Sequence, residues 1–179
     1  TRPSLIDYIK KESKHKGINL ALAMAIIKTE SSWKLDSIRC EKNYEQRWQT
    51  LVSKTGCAEE TDCEEKITDA NGKECHKIAA SYGLMQIMYP TALDLGFKGN
   101  SDKLLTRENF KLGITYLKHM LNTFRDLKDS LAAYNAGKDS VNKAKRCGQE
   151  FEEYYQCLPN PHITSQYVMK VIMYQQIYE

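Results

Sequence analysis

The sequence predicts a mainly α-helical domain, and three observations carry that prediction. Phe110, Ile114, Leu117, Leu121 and Phe124 follow one another at intervals of four, three, four and three, the spacing of one helix face. Nothing alternates with period two for long enough to demand a sheet, so strands are expected at most as a small hairpin inside a loop. Finally, 179 residues at 41% hydrophobic and 27% charged fit one domain, residues 1–179, with a substantial core.

Taken in order, Leu5 to Glu12 forms the first helix and Leu20 to Glu30 the second, with Gly17 marking the break and Asn19 a candidate N-cap. Tyr44 to Val52 reads as a short helix. Residues 53 to 76 are polar, acidic and cysteine-rich and contain Gly56, Asn71 and Gly72, which predicts an irregular stapled loop. Thr91 to Leu95 is a short helix with Pro90 just before it and Gly96 just after. Arg107 to Phe124 is the most regular amphipathic segment. Leu127 to Ala136, Ser140 to Lys145 and Ile163 to Ile177 complete the set. In Leu131 to Gly137 a helix ends in small residues, and Gly137 is expected in the left-handed conformation.

Charge and composition exclude several functions. A net charge of +3 and scattered Lys and Arg make no basic stripe for nucleic acid. The longest apolar run, Leu20 to Ile27, is too short to span a bilayer. The chain opens Thr1-Arg2-Pro3-Ser4 without a signal peptide, as a mature or trimmed product would. Six cysteines in polar surroundings point to disulfides and an oxidising, periplasmic or secreted location. Cys147 and Cys157 stand apart from the rest and are expected to pair; two further bonds would lie among Cys40, Cys57, Cys63 and Cys75. A zinc site from Cys57, Cys63, Cys75 and His76 lacks Cys-x-x-Cys knuckles, so no metal or other cofactor is assigned. Asp69-Ala70-Asn71-Gly72 lacks the later acidic ligands of an EF-hand and reads as a plain turn.

Chemistry concentrates at Glu30. It closes the apolar run Leu20 to Glu30, with Ile26 and Ile27 four and three residues back on its own helix face, and Ser31-Ser32-Trp33 follow. A carboxylate at the end of such a stripe is partly desolvated, so the neutral acid is favoured, as a general acid near neutral pH requires. Later come Ser81-Tyr82-Gly83-Leu84-Met85-Gln86-Ile87-Met88-Tyr89-Pro90, then Asn109-x-x-x-Gly113-x-x-Tyr116-Leu117, Ala132-Ala133-Tyr134-Asn135-Ala136-Gly137, and finally Gln166-Tyr167-Val168. In this order the motifs resemble those of family-1 lytic transglycosylases, over about residues 18 to 175. The resemblance implies a goose-lysozyme-like fold, to which this chain adds a disulfide-stapled loop insertion.

By that resemblance Glu30 is the catalytic acid. Ser31, Gly83, Met85, Gln86, Tyr134, Asn135 and Tyr167 line the sugar groove, with Met85 and Gln86 facing substrate and the Tyr167 hydroxyl directed to the carboxylate. Trp33 and Trp48 offer sugar-stacking faces without an assigned role. The implied substrate is peptidoglycan, cut between N-acetylmuramic acid and N-acetylglucosamine with a 1,6-anhydro product. One Glu acts as acid and then base, where ordinary glycosidases use two carboxylates. A monomer is expected, as a free wall enzyme or one serving a secretion or cell-wall-spanning apparatus.

Two alternatives differ in class. A hydrolytic goose-type lysozyme or chitinase-like glycosidase would draw on Asp36, Glu41 or Glu45 to activate water. A non-catalytic glycan-binding assembly factor would use the same groove without need of Glu30. Glu41, in Arg39-Cys40-Glu41, otherwise reads as structural, tying a loop to the helix that carries the acid. The 53 residues from Glu30 to Gly83 exceed the family's usual spacing. The excess, at about 50–78, is expected to border the groove and alter access or partner binding.

Overall fold

The computed structural model describes residues 2–55 and 64–179. Its helices are α1 (Leu5–Lys16), α2 (Leu20–Ser31), α3 (Lys42–Glu45), α4 (Trp48–Thr55), α5 (Tyr89–Asp94), α6 (Glu108–Phe124), α7 (Leu127–Ala136), α8 (Lys138–Ala144), α9 (Phe151–Tyr154) and α10 (Pro161–Tyr178). The strands are β1 (Ile38–Cys40), β2 (Lys66–Thr68), β3 (Glu74–His76), β4 (Ala80–Tyr82) and β5 (Ile87–Met88). The fold is mainly helical, and its Cα positions divide into two compact units: Thr1–Thr29 with Ile114–Glu179, and Glu30–Gly113.

In the first unit α1 starts where the Ser4 hydroxyl accepts the Asp7 N–H. It runs to Lys16, a turn beyond the expected Glu12, because the stop signal is Gly17 itself. That glycine adopts φ 64° and closes the helix, its N–H and that of Ile18 donating to the Lys14 and Ser13 carbonyls. Asn19 caps α2, its side-chain oxygen accepting the Leu22 N–H at 2.9 Å. Leu131, Ala132 and Ala133 of α7, Val168 and Val171 of α10, and Ile9 of α1 are fully buried. Small residues on α7 let α10 approach closely. A buried Asp129 accepts the Tyr154 hydroxyl at 2.7 Å and pairs with Lys145 at 2.5 Å, so its charge is compensated. Cys147 is bonded to Cys157. Gly137 has φ 94° and ψ 146°, positive φ but extended rather than left-handed, because it ends α7 and begins α8 in one step.

The second unit contains a three-stranded sheet that the sequence did not call for, together with the small hairpin that it allowed inside the loop. β1, β4 and β5 form a three-stranded antiparallel sheet in the order β1-β4-β5, and β2 pairs with β3 as a hairpin. Strands of two or three residues hold too few positions to express period-two alternation. The hairpin occupies part of the segment expected to be irregular. Its turn is organised by Asp69, which accepts the Asn71 and Lys73 N–H groups at 2.9 and 3.0 Å, with Gly72 at φ 78°. The other Asp69 oxygen accepts the Cys40 N–H at 3.1 Å, and Cys40 is bonded to Cys75. Hairpin and β1 are therefore joined by a covalent bond and a charged hydrogen bond. A thiolate ligand from Cys75 is thereby removed; Cys57 and Cys63 lie outside the described residues.

Other boundaries move for physical reasons. The expected helix Tyr44 to Val52 is two helices, α3 and α4. Pro90 lies inside the first turn of α5, where its missing N–H costs nothing. α9 is only four residues long, too short for any periodicity. Among the described residues no helix is long and apolar enough to cross a membrane.

Candidate active site

Glu30 is the penultimate residue of α2, and its side chain is 6% exposed. The helix stops abruptly after it. Ser32 and Trp33 take φ 50° and 70°, two successive non-glycine residues in the left-handed region, a strained arrangement of the kind found at functional sites. Ser31 is buried at 6% exposure, and its carbonyl accepts the Lys34 N–H.

The Glu30 carboxylate faces a polar chain built on the small sheet. Nη2 of Arg39 lies 3.9 Å from Oε2 of Glu30. Nε of Arg39 donates to Oε1 of Glu41 at 2.8 Å, and the Ser81 hydroxyl donates to the same oxygen at 2.9 Å. Of the other acidic candidates, Glu45 accepts both the backbone N–H of His76 (2.8 Å) and its Nδ1 (2.6 Å), while Asp36 is exposed. His76 stacks on Trp48 with ring centroids 4.1 Å apart, so one face of that tryptophan is already covered.

Gly83 to Gln86 forms the turn between β4 and β5. Gly83 has φ 74°, and a Cβ there would lie 2.4 Å from the Leu104 carbonyl oxygen and 2.7 Å from the Asn109 amide, so only glycine fits. Gln86, at φ 50°, donates through Nε2 to the Ser37 and Gly83 carbonyls at 3.1 and 3.0 Å. Its Oε1 is buried and has no hydrogen-bond partner among the described residues. Such an acceptor is costly to leave unmet and well suited to a ligand N–H. Met85 has no exposed surface, contrary to the expectation that it faces a ligand: a Cβ on Gly113 would come 2.3 Å from its own Cβ.

The clamp on this turn is Asn109, to which the sequence assigned no role. Wholly buried, it accepts the Met85 N–H through Oδ1 at 2.8 Å and donates from Nδ2 to the Tyr82 carbonyl at 2.6 Å. Asn109 and Gly113 are four apart and share a face of α6, which is the signal that could have revealed the pair. The sequence likewise assigned no role to Arg39, whose side chain lies on the same side as that of Glu41, the residue just past the end of β1.

In the first unit, Tyr134 is buried at 8% exposure with its ring 5.1 Å from that of Tyr116. Asn135 accepts the Thr164 hydroxyl at 2.8 Å, which ties α7 to α10. Tyr167 is 7% exposed on α10. The candidates therefore fall into two groups: Glu30, Ser31, Gly83, Met85 and Gln86 in one unit, and Tyr134, Asn135 and Tyr167 in the other.

Comparison with known proteins now bears on this geometry. A family model described as the transglycosylase SLT domain matches residues 7–156. Among solved structures, an inactive mutant of lytic transglycosylase Slt from Pseudomonas aeruginosa is similar, with TM-score 0.62 and 21% identity over 96% of this chain and 23% of that one. The 70 kDa soluble lytic transglycosylase from Escherichia coli gives TM-score 0.62 and 24% identity over 96% of this chain and 23% of its own. A complex of a 70-kDa soluble lytic transglycosylase with bulgecin A gives 0.61, 24% and the same coverage. These likenesses show the fold, and the chain spans 23% of the length of each structure. No curated protein matches the chain.

Proposed function

The chain belongs to the transglycosylase SLT domain family, and from that premise we propose that it is a peptidoglycan lytic transglycosylase with Glu30 as its single acid and base. Glu30 protonates the glycosidic oxygen between N-acetylmuramic acid and N-acetylglucosamine as the C1–O4 bond breaks. The substrate's N-acetyl group stabilises the cationic centre, so no protein nucleophile is needed. The Glu30 carboxylate then takes the proton from the muramoyl C6 hydroxyl as O6 bonds to C1. Products are a free 4-hydroxyl and a 1,6-anhydro end; no water is consumed, and Glu30 regains its proton.

The observation that carries this reading is Glu30 itself, buried at 6% exposure with a guanidinium 3.9 Å away. Burial favours the neutral acid and the nearby cation favours the carboxylate, and a group that donates and then recovers one proton needs both. Ser31, Gly83, Gln86, Tyr134, Asn135 and Tyr167 are proposed to bind the glycan, with Met85 shaping the turn from beneath. The Cys40–Cys75 and Cys147–Cys157 bonds support a periplasmic or secreted setting.

The test is mass spectrometry of muropeptides released from purified peptidoglycan by the protein and by Glu30→Gln. Anhydro-terminated products from the unaltered protein alone are expected. Reducing ends would make it a hydrolase and turn attention to exposed Asp36, since Glu41 and Glu45 are already engaged.

A further inference from the structure

We propose that Arg39 is a positioning residue for the Glu30 carboxylate, itself aimed by Glu41, which Ser81 anchors. The inference rests on Glu30 being the proton carrier. Its basis is the register of the small sheet. Arg39 lies directly opposite Ser81 in the β1–β4 ladder, so their side chains leave the same face. Glu41 is two residues past Arg39 and projects to that side as well. The result is a continuous line: Ser81 hydroxyl to Glu41 at 2.9 Å, Glu41 to Arg39 Nε at 2.8 Å, and Arg39 Nη2 to Glu30 at 3.9 Å.

The guanidinium is planar and its N–H directions are fixed relative to one another. Once Nε is pinned on Glu41, the plane of the group and the direction of Nη2 are set. A lysine could supply the charge but not this two-point orientation. The 3.9 Å separation leaves Glu30 room to point at a substrate oxygen while its carboxylate state is stabilised mid-reaction. The backbone of the next residue, Cys40, is held by the Asp69 carboxylate and the bond to Cys75, so the strand carrying Arg39 has little freedom to shift.

Charges facing Glu30 from the strand side are Arg39 directly and Glu41 behind it. The sign of each perturbation follows. Removing the Arg39 charge lets Glu30 keep its proton to higher pH. Removing the Glu41 charge leaves Arg39 uncompensated, and Glu30 gives up its proton at lower pH. Two neighbouring substitutions therefore act in opposite directions, which structural damage would not produce. The expected size is about one pH unit, the low end for a carboxylate beside a guanidinium, because Arg39 is half exposed.

The experiment is the pH dependence of the initial rate at limiting peptidoglycan for the unaltered protein, Arg39→Met, Arg39→Lys and Glu41→Gln, with Glu30→Gln as the control. The alkaline limb is expected to move up in Arg39→Met, down in Glu41→Gln, and hardly at all in Arg39→Lys, whose rate is nonetheless lower. If Arg39→Met fails to fold, by circular dichroism, the contrast between Arg39→Lys and Glu41→Gln decides. With Glu30→Gln inactive, limbs that stay put or move together overturn this inference alone. Undiminished activity in Glu30→Gln overturns both the inference and the proposed function.

Discussion

Replacing Asn109 by Ala is expected to loosen the turn that carries Gly83 to Gln86 and to destabilise the Glu30–Gly113 unit. The side chain is wholly buried and satisfies two main-chain groups, the Met85 N–H at 2.8 Å and the Tyr82 carbonyl at 2.6 Å. Alanine leaves both buried without partners, at about 1–3 kcal/mol each, so the central expectation is ~4 kcal/mol. For a chain of this size that lowers Tm by roughly 10 °C. Asn109→Asp is the sharper probe. Its carboxylate still accepts the Met85 N–H but, when ionised, meets the Tyr82 carbonyl without a proton to donate. Burial and this clash raise the folded-state pKa of the new acid, so the variant recovers stability as pH falls, fully below its unfolded value, and loses it as pH rises through its folded one. Thermal unfolding between pH 3 and 8 measures both effects, and glycan-cleavage assays at a temperature where the variants stay folded report the turn. An Asn109→Ala protein within about 1 kcal/mol of the unaltered one, cleaving at the same rate, would refute the clamp.

Two further predictions concern the same unit. Gly113→Ala ordinarily strengthens a helix interior, but here the added Cβ would lie 2.3 Å from that of Met85, and relieving the overlap is expected to cost about 1–3 kcal/mol; a variant with raised Tm and normal activity would show that Met85 yields freely. Asp69 is held below the ordinary carboxylate value of 3.8, first by the Cys40 N–H and then by those of Lys73 and Asn71, against an opposing effect of burial. Its contribution is therefore present above that value and lost as pH falls through the lower folded one, so the protection of the β2–β3 hairpin amides from exchange, taken relative to the intrinsic rate at each pH, should fall below about pH 3.8, and Asp69→Asn should abolish that acid-side change.

Much of the helical framework could be read directly. The α6 face repeats at four, three, four and three, α7 was bounded correctly at Leu127 and Ala136, and Asn19 signalled its own capping role, since these features depend on residues within one or two turns of each other. Glu30 also stood out locally, as a carboxylate closing an apolar stripe. What surrounds it did not. The small sheet uses strands too short to show a pattern, yet its register puts Arg39 opposite Ser81 and so aims a cation at Glu30. The partner of Cys40 was one of several arithmetic possibilities until the hairpin brought Cys75 beside it. Asn109 stood in plain view on α6, but its role depends on which main chain packs against it, 24 residues away at Met85. Helix, cap and turn preferences arise from neighbours in the chain and are written there. The orientation of a buried charge or amide arises from groups distant in sequence, and only the folded backbone selects them.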